Sequence, residues 1–244
     1  MARQKTPNLP DLAALLAPRD RMTLAIEQAV LRTQHGAEAA MPIAEQIAAR
    51  LAGMITLDQI HAGQRLLEKE VSEVLKVSRA PVREAFRILE RDRLVEIQPR
   101  RGAFVTAPDE GDLKDIFAVR TSLFAILLEQ VAREAPEALE RTFADGIRRL
   151  ERAARESHDA YALENFLVND AVFDLCRNRL LADMLKSISL RTLRYVRLAI
   201  TLPGRIEESL RTVRALHRAV QRRDIESVVR FAEERMIASR DAAV

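Results

Sequence analysis

Apolar residues in the stretch 67–91 recur with the spacing of two successive helices. Val71, Val74 and Leu75 stand at i, i+3 and i+4, which indicates a short amphipathic helix, and the polar residues around Ser78 interrupt it. A second helix is predicted to start there, because the Ser78 hydroxyl is suited to cap the free backbone N–H groups of a first turn. The predicted buried stripe of this second helix consists of Val82, Ala85, Phe86 and Leu89.

The apolar residues after the second helix no longer recur with a helical period. Residues 94–97 and 103–105 are short apolar segments, and the sequence PRRG at 99–102 between them favours a tight turn. This pattern predicts a two-stranded hairpin. A helix, a tight turn, a second helix and a hairpin in this order are typical of a winged helix-turn-helix domain, whose second helix enters the major groove of DNA.

The residues before these elements hold two further predicted helices, one over 21–33 and one that starts after Pro42. Their apolar positions are Met22, Ile26, Ala29 and Val30 in the first, and Ile43, Ile47, Leu51 and Met54 in the second. We therefore assign residues 1–36 to an N-terminal extension with one extra helix, and residues 37–107 to the winged domain. Few cations lie on the extra helix, so we expect it to pack across a dimer or against the winged domain rather than to contact DNA.

Beyond a polar linker at 106–112, helical periodicity continues to the end of the chain without a strand pattern or an internal repeat. The predicted helices cover residues 113–133, 136–154, 161–176, 180–202, 206–222 and 225–238. Residues 108–244 are therefore expected to form an all-helical bundle of about six helices. With the winged domain before it, the fold class is mainly α.

Charge is nearly balanced over the 244 residues, with 39 Lys and Arg against 36 Asp and Glu, so any nucleic-acid-binding surface has to be local. Between positions 76 and 101, eight basic residues stand against four acidic ones. A solvated helix face would explain one row of arginines. The Arg-Arg-Gly turn adds a second cationic element, however, and the two together favour binding to double-stranded DNA.

Composition excludes several other classes of protein. The single cysteine, Cys176, cannot form an internal disulfide and fits a reducing cytoplasm. No apolar run approaches the roughly 18–20 residues that cross a membrane. A cytoplasmic protein without a membrane partner is therefore expected.

The sequence VSRAPVREAFRILERDRLVEIQPRRGAFV, with GQRLLEKEVSEVLK before it, closely resembles the GntR family of bacterial transcription regulators over residues 43–105. The resemblance implies DNA contacts from the recognition helix and the wing tip. The candidate DNA-binding residues are Lys69, Ser78, Arg79, Ala80, Arg83, Arg100, Arg101 and Gly102. Two positions depart from the family pattern. Ala62 replaces the proline of a usual Pro-Gly pair, and Ala80 replaces a common threonine, which removes a hydroxyl contact and bears on operator preference.

The second half resembles, more loosely, the FCD ligand-binding domain of the FadR branch of this family, through LKDIFAVR, NDAVFD and RRDIESVVRF. Six helices rather than seven lean toward its VanR-like subgroup. The resemblance implies an effector site in the bundle centre, where many members hold a metal through Asp or Asn and three His. The corresponding positions here are Asp170, Asp174, Val213 and Arg235, and His217 lies one turn from Val213. Since the three His positions hold other residues, we expect no metal and no other cofactor.

Arg235 at a ligand position suggests a replacement for the metal. Its guanidinium is expected to pair with Asp170 or Asp174, which lie one helical turn apart; the alternative is that Arg235 points to solvent. The candidate effector-binding residues are Arg120, Asp170, Asp174, Arg191, Tyr195, His217 and Arg235.

These features predict a dimeric repressor that binds a palindromic operator and is released by a small metabolite, expected to be a carboxylate or a sugar acid. The absent metal ligands leave open a second hypothesis, in which DNA binding is independent of any effector and the helical half only dimerises. An enzyme that carries a DNA-binding domain is disfavoured. The sequence offers no nucleophile–base pair, no glycine loop for phosphates and no cluster of metal ligands.

Overall fold

A computed structural model of the chain describes residues 21–34 and 42–243. They belong to two compact units, 1–107 and 108–244. The prediction of a mainly α protein with a winged helix-turn-helix domain and a helical bundle is confirmed. The remaining residues of the predicted N-terminal extension lie outside the described residues.

The described part of the first unit contains four helices and a small antiparallel sheet in the strand order β1-β3-β2. The elements are α1 (Arg21–Gln34), α2 (Ile43–Thr56), β1 (Arg65–Leu66), α3 (Glu68–Leu75), α4 (Arg79–Arg91), β2 (Val95–Gln98) and β3 (Gly102–Val105). The prediction of a wing with two strands was therefore incomplete. β1 has two residues, which is too short to produce a recognisable alternation of apolar and polar positions.

The helix that carries the arginines, α4, forms as the periodicity predicts. Its four predicted stripe residues are all buried. The turn before it depends on Lys76, which ends α3 in the left-handed conformation at φ 53°. Ser78 occupies the N-cap position with extended backbone, but its hydroxyl makes no capping hydrogen bond, so the predicted cap is wrong in that respect.

The extra helix α1 packs on α2 within the first unit. Ile26 is fully buried, and the Glu27 carboxylate accepts a hydrogen bond from Nη1 of Arg50 on α2 at 2.9 Å. Residues 47–56 of α2 are all buried. Of the two roles predicted for α1, the described residues display packing against the winged domain.

The described part of the second unit is the predicted bundle of six helices. They are α5 (Glu110–Glu134), α6 (Pro136–Glu156), α7 (His158–Asp174), α8 (Arg179–Ile200), α9 (Arg205–Gln221) and α10 (Ile225–Ala243). A capping box formed by Asp109 and Asp112 starts α5, because each side chain accepts a hydrogen bond from the other residue's backbone N–H. α5 and α10 pack against each other along much of their length. Among the described residues, no helix is both long and apolar enough to cross a membrane.

Candidate DNA-binding surface and effector cavity

The outer face of α4 presents a row of cations. Arg79, Arg83 and Arg87 are exposed at steps of four residues, on a different face from the buried stripe. Ala80 and Ser78 are exposed beside Arg79 at the start of the helix. This end of a recognition helix is the part that meets base edges in helix-turn-helix complexes.

Arg83 is held in a fixed orientation by Glu68, a residue that the sequence did not single out. Nε of Arg83 donates to Oε1 of Glu68 and Nη2 donates to Oε2, both at 2.9 Å. The hydrogen bond from Arg83 lowers the pKa of the Glu68 carboxyl, so the carboxylate is the stable form. The pairing occupies one edge of the guanidinium. The Nη1–Nη2 edge keeps N–H groups that can donate to a base, and the side chain remains 57% exposed.

Lys69 lies on α3, one residue beyond Glu68. Its ammonium stands 3.8 Å from the Glu73 carboxylate in an exposed pair. Such a pair is weak and is readily exchanged for a phosphate. Lys69 can therefore add a contact to the DNA backbone next to α4.

The wing tip is shaped by two left-handed residues. Arg100 has φ 62° and Gly102 has φ 96°, and the Arg101 N–H donates to the Gln98 carbonyl at 3.0 Å to close the turn. At Gly102 only glycine fits without distortion, since a Cβ would lie 2.9 Å from the Leu66 carbonyl oxygen of β1. The turn leaves both arginine side chains exposed at the tip of the hairpin.

Phe104 supports the wing cations from one side. The Arg101 guanidinium carbon lies 5.2 Å from the centre of its ring, and that of Arg65 lies 6.0 Å from it. Nε of Arg65 also donates to the Arg101 carbonyl. Sequence reasoning missed Arg65, because it precedes the helix-turn-helix motif and belongs to the short strand β1. The role of Arg65 depends on the pairing of β1 with β3, which places Arg65 opposite Phe104. That pairing could not be recognised from the sequence.

The second unit contains a small cavity of about 20 Å³. Its polar and charged lining residues are Arg120, Asn165, Asn169, Arg205, Glu208, Ser209, Thr212, Arg235 and Ser239. Among the predicted effector residues, the cavity brings together Arg120 of α5 and Arg235 of α10. The predicted residues Asp170, Asp174, Arg191, Tyr195 and His217 do not line it.

The predicted pairing of Arg235 with an aspartate is wrong. Arg235 is buried, and its Nη2 donates to the Asn165 side-chain oxygen while Nη1 donates to the Ser209 carbonyl at 3.2 Å. Asp174 is 48% exposed and pairs instead with Lys186 at 2.5 Å. Asp170 is buried on the same helix as Asn165, but the hydrogen bonds of Arg235 go to neutral groups.

Arg120 is the more unusual of the two cavity arginines. It is 5% exposed, and neither Nε nor Nη1 has a hydrogen-bond partner among the described residues. Its guanidinium lies 5.7 Å from the centre of the Phe117 ring. Burial, reinforced by the charge of Arg235, lowers the pKa of Arg120 to about 10. At neutral pH the group is still a cation, but one that the protein does not neutralise.

Three other predicted effector residues lie outside the lining of this cavity. Arg191 and Tyr195 are half-buried on α8, and His217 is half-buried on α9. In the described part of the chain, no three His, Cys, Asp or Glu side chains converge in a way that would hold a metal ion. The positions that the family resemblance aligned with metal ligands therefore hold no set of donors here.

Comparison with known proteins relates both units to one family. The model for bacterial regulatory proteins of the gntR family matches residues 43–105, and the model for the FCD domain matches residues 115–237. The transcriptional regulator YdhC of Bacillus subtilis is 26% identical over 144 residues, 57% of this chain and 63% of the relative. The repressor RspR of Escherichia coli K12 is 34% identical over 91 residues, 37% of this chain and 40% of the relative.

The chain therefore spans less than two thirds of the length of either relative. A solved structure of McbR/YncC from E. coli superposes with a TM-score of 0.69 at 19% identity, over 81% of this chain and 95% of that one. That likeness bears on the fold alone. The two matched domain models together cover most of the described residues, in the order predicted from the sequence. The chain thus belongs to the GntR family of bacterial transcription regulators and carries an FCD domain.

Proposed function

We propose that the protein is a sequence-specific DNA-binding repressor whose helical unit responds to a small-molecule effector. The observation that carries the DNA-binding part is the exposed row of Arg79, Arg83 and Arg87 on α4, next to a wing with Arg100 and Arg101 at its tip. A recognition helix with such a row fits the major groove. No catalytic arrangement is required for this function, and we place the protein in the cytoplasm with the DNA.

Arg83 is the residue proposed to read a base. The Nη1–Nη2 edge keeps one N–H on each nitrogen that can donate to the O6 and N7 acceptors of guanine, while Glu68 binds the adjacent Nε–Nη2 edge of the guanidinium. A supported guanidinium loses less conformational freedom on binding, which favours a specific contact over a loose one. Arg100 and Arg101 are proposed to bind the phosphate backbone or the minor groove.

A homodimer on a palindromic site is the proposed assembly. Large apolar side chains remain exposed on α5 and α8, two helices that pack against each other: Val119 and Ile126 on α5 are 50% and 46% exposed, and Leu180 on α8 is 72% exposed. Val119 and Ile126 stand seven residues apart, on one side of α5. A second copy of the helical unit would bury this surface and place two winged units on one DNA site.

DNA selection tests the main proposal. Randomised double-stranded DNA is incubated with the full chain, the bound sequences are recovered, and affinity is measured by fluorescence anisotropy. We expect a selected site with two half-sites related by a dyad. Arg83→Ala is expected to lose roughly 10- to 100-fold affinity on the selected site and less on unrelated DNA.

Arg83→Lys serves as the matched control, because it keeps the charge but lacks the planar fork. It should retain affinity for unrelated DNA and lose most of the discrimination. An equal loss on both DNAs for Arg83→Ala would restrict Arg83 to a phosphate contact. Recovery of no preferred sequence would refute sequence-specific binding.

The effector-independent alternative has one observation in its favour. The cavity of about 20 Å³ holds little more than one water molecule, which needs roughly 10–15 Å³. A protein of this kind would bind DNA with an affinity that no metabolite changes, and its helical unit would serve for dimerisation alone. Operator affinity measured with and without candidate metabolites separates the two functions.

A further inference from the structure

Arg65 of β1 lies on the outer face of the wing sheet, directly opposite Phe104 of β3. The next pair along the two strands, Leu66 and Ala103, is buried. Because successive side chains of a strand point to opposite faces, Arg65 and Phe104 share the face that looks away from the core. Both are half-buried. Arg65 is therefore a surface group of the wing rather than a core residue.

Two contacts hold the Arg65 guanidinium beside the tip of the wing. Its Nε donates a hydrogen bond to the Arg101 carbonyl, and its guanidinium carbon lies 6.0 Å from the centre of the Phe104 ring. The guanidinium carbon of Arg101 lies 5.2 Å from the centre of the same ring. One aromatic ring and one backbone carbonyl thus place two cationic side chains at the end of the hairpin.

The wing arginines have no carboxylate partner in the part of the chain that the structure describes. Arg65, Arg100 and Arg101 form no ion pair there, whereas two of the three arginines in the row on α4 each pair with a glutamate. Glu96 of β2 is on the same face, on the far side of β3, but its carboxylate accepts a hydrogen bond from the Gln98 side chain at 3.4 Å. Like charges held close together repel, and an anion that binds near them removes the repulsion. The wing therefore complements an external anion.

The outer edge of the Arg65 guanidinium is open. Its terminal nitrogens, Nη1 and Nη2, make no hydrogen bond to a described residue. A pair of parallel N–H groups on a planar guanidinium is the geometry that binds two oxygen atoms of a phosphate. Because Nε is already bonded to the wing, the side chain loses little conformational freedom when the terminal edge binds.

We propose that Arg65 is a third DNA-binding residue of the wing, and that its terminal nitrogens bind a backbone phosphate beside the contacts of Arg100 and Arg101. The inference rests on the proposed function and adds to it a residue of β1, outside both the recognition helix and the turn of the hairpin. Arg65 supplies affinity without sequence discrimination, because a phosphate is the same in every sequence.

Anisotropy titrations of the full chain on unrelated double-stranded DNA, at several salt concentrations, test the inference. Arg65→Met removes the charge, so the slope of log affinity against log salt should become shallower by about 0.9. Between about 50 and 200 mM salt, the affinity of the wild type should then fall about threefold more than that of the variant. Arg65→Gln is a second neutral variant with the same expected slope, in case Arg65→Met does not fold.

Two further variants serve as controls. Arg65→Lys keeps the charge and should keep the slope of the wild type, with a loss of affinity only. Arg91→Met neutralises an exposed arginine at the C-terminal end of α4, away from the wing, and should leave the slope unchanged. Circular dichroism of each variant confirms that the winged unit is folded.

Arg65→Met combined with Arg100→Ala and Arg101→Ala separates a phosphate contact from a structural role. A contact made by Arg65 itself lowers the slope by a further 0.9 or so in that background. A residue that only holds the tip in place changes nothing once the tip cations are gone, and this result would overturn the inference. So would an unchanged slope for both neutral variants, or a slope for Arg65→Lys as shallow as theirs.

DNA selection on the same preparation keeps the two proposals apart. Selective DNA binding together with an unchanged slope for the neutral Arg65 variants refutes this inference alone. The expected change in slope without any preferred DNA sequence refutes sequence-specific binding alone, because the phosphate contact is measured on unrelated DNA.

Discussion

The two units use arginine in opposite ways. In the winged unit, Arg83 and Arg87 lie on the surface, and each pairs with a carboxylate, Glu68 or Glu84. In the helical unit, Arg120 and Arg235 lie inside and contact an aromatic ring or neutral oxygen atoms. A surface pair contributes little to the stability of a fold. A buried guanidinium without a counter-ion destabilises the fold.

Exposed and buried arginines therefore have different effects on the protein. The surface arginines are suited to a long polyanion, because many weak and exchangeable contacts add up along DNA. The buried arginines lie in a low-dielectric surrounding, where a charge without a counter-ion raises the free energy of the folded state. The comparison therefore predicts that substitutions in the two units affect different measurements.

The largest expected effect comes from neutralising Arg120. Burial and the charge of Arg235 lower the pKa of Arg120 from its ordinary value to about 10, which corresponds to roughly 3 kcal/mol of destabilisation of the charged form. Arg120→Met should therefore raise the free energy of unfolding by up to about 3 kcal/mol at pH 7. Chemical denaturation of the full chain, followed by circular dichroism, measures this change.

The lowered pKa of Arg120 also determines how this destabilisation depends on pH. The destabilisation is fully present below pH 10, where Arg120 is charged in both the folded and the unfolded chain. It diminishes as pH rises above about 10, because only the folded chain then loses the proton. Arg133→Met changes an exposed arginine of α5 and should alter stability by less than about 0.5 kcal/mol. A destabilising Arg120→Met would show that the buried charge is compensated within the protein.

The second-largest expected effect comes from substituting Gly102, which shapes the wing tip that carries Arg100 and Arg101. Gly63 and Gly102 both have positive φ, at 74° and 96°, but a Cβ meets no atom within 4 Å at Gly63 and lies 2.9 Å from the Leu66 carbonyl oxygen at Gly102. Gly63→Ala should destabilise the winged unit by about 1 kcal/mol through its backbone conformation. Gly102→Ala should add roughly 1–2 kcal/mol from the forced contact.

The difference between the two variants isolates the contact of β3 with β1. Denaturation followed by circular dichroism gives both values, and anisotropy shows whether the displaced wing also weakens DNA binding. Equal destabilisation by the two substitutions would mean that β1 yields freely, and that the wing does not depend on it for its shape.

The sequence predicted the surface site better than the interior one, and the reason is physical. On α4, the period of the apolar stripe decides which side is buried, so the arginines at 79, 83 and 87 had to face outward. For Arg235, the periodicity of α10 could place the side chain inside but could not choose its partner. That choice depends on which side chains of α7 and α9 meet it, and Asn165 and Ser209 are 70 and 26 residues away along the chain.

Other misses have the same origin. The strand β1 is two residues long and is defined by its partner, since Arg65 and Leu66 pair with Phe104 and Ala103. The role of Glu68 depends on a bond to Arg83, 15 residues later on another helix. Helices whose apolar residues recur with a regular period could be predicted from the sequence. Contacts that depend on the packing of two elements were not.

The smallest expected effect concerns the wing arginines and is a change in slope rather than in stability. Arg100 and Arg101 are exposed at the turn of the hairpin. If each meets a phosphate, binding releases the counter-ions condensed there, and the logarithm of the affinity falls with the logarithm of the salt concentration by about 0.9 per contact. The double variant Arg100→Ala, Arg101→Ala should therefore bind DNA with a slope that is shallower by roughly 1–2. Its free energy of unfolding should be nearly unchanged, because exposed side chains away from buried groups contribute little.

Anisotropy titrations of the wild type and the double variant at several salt concentrations, on both selected and unrelated DNA, give the slopes. The change should be the same on both DNAs, since phosphates are common to every sequence. If the double variant has the same slope as the wild type, these arginines do not contact the DNA. The electrostatic contacts would then come from α4.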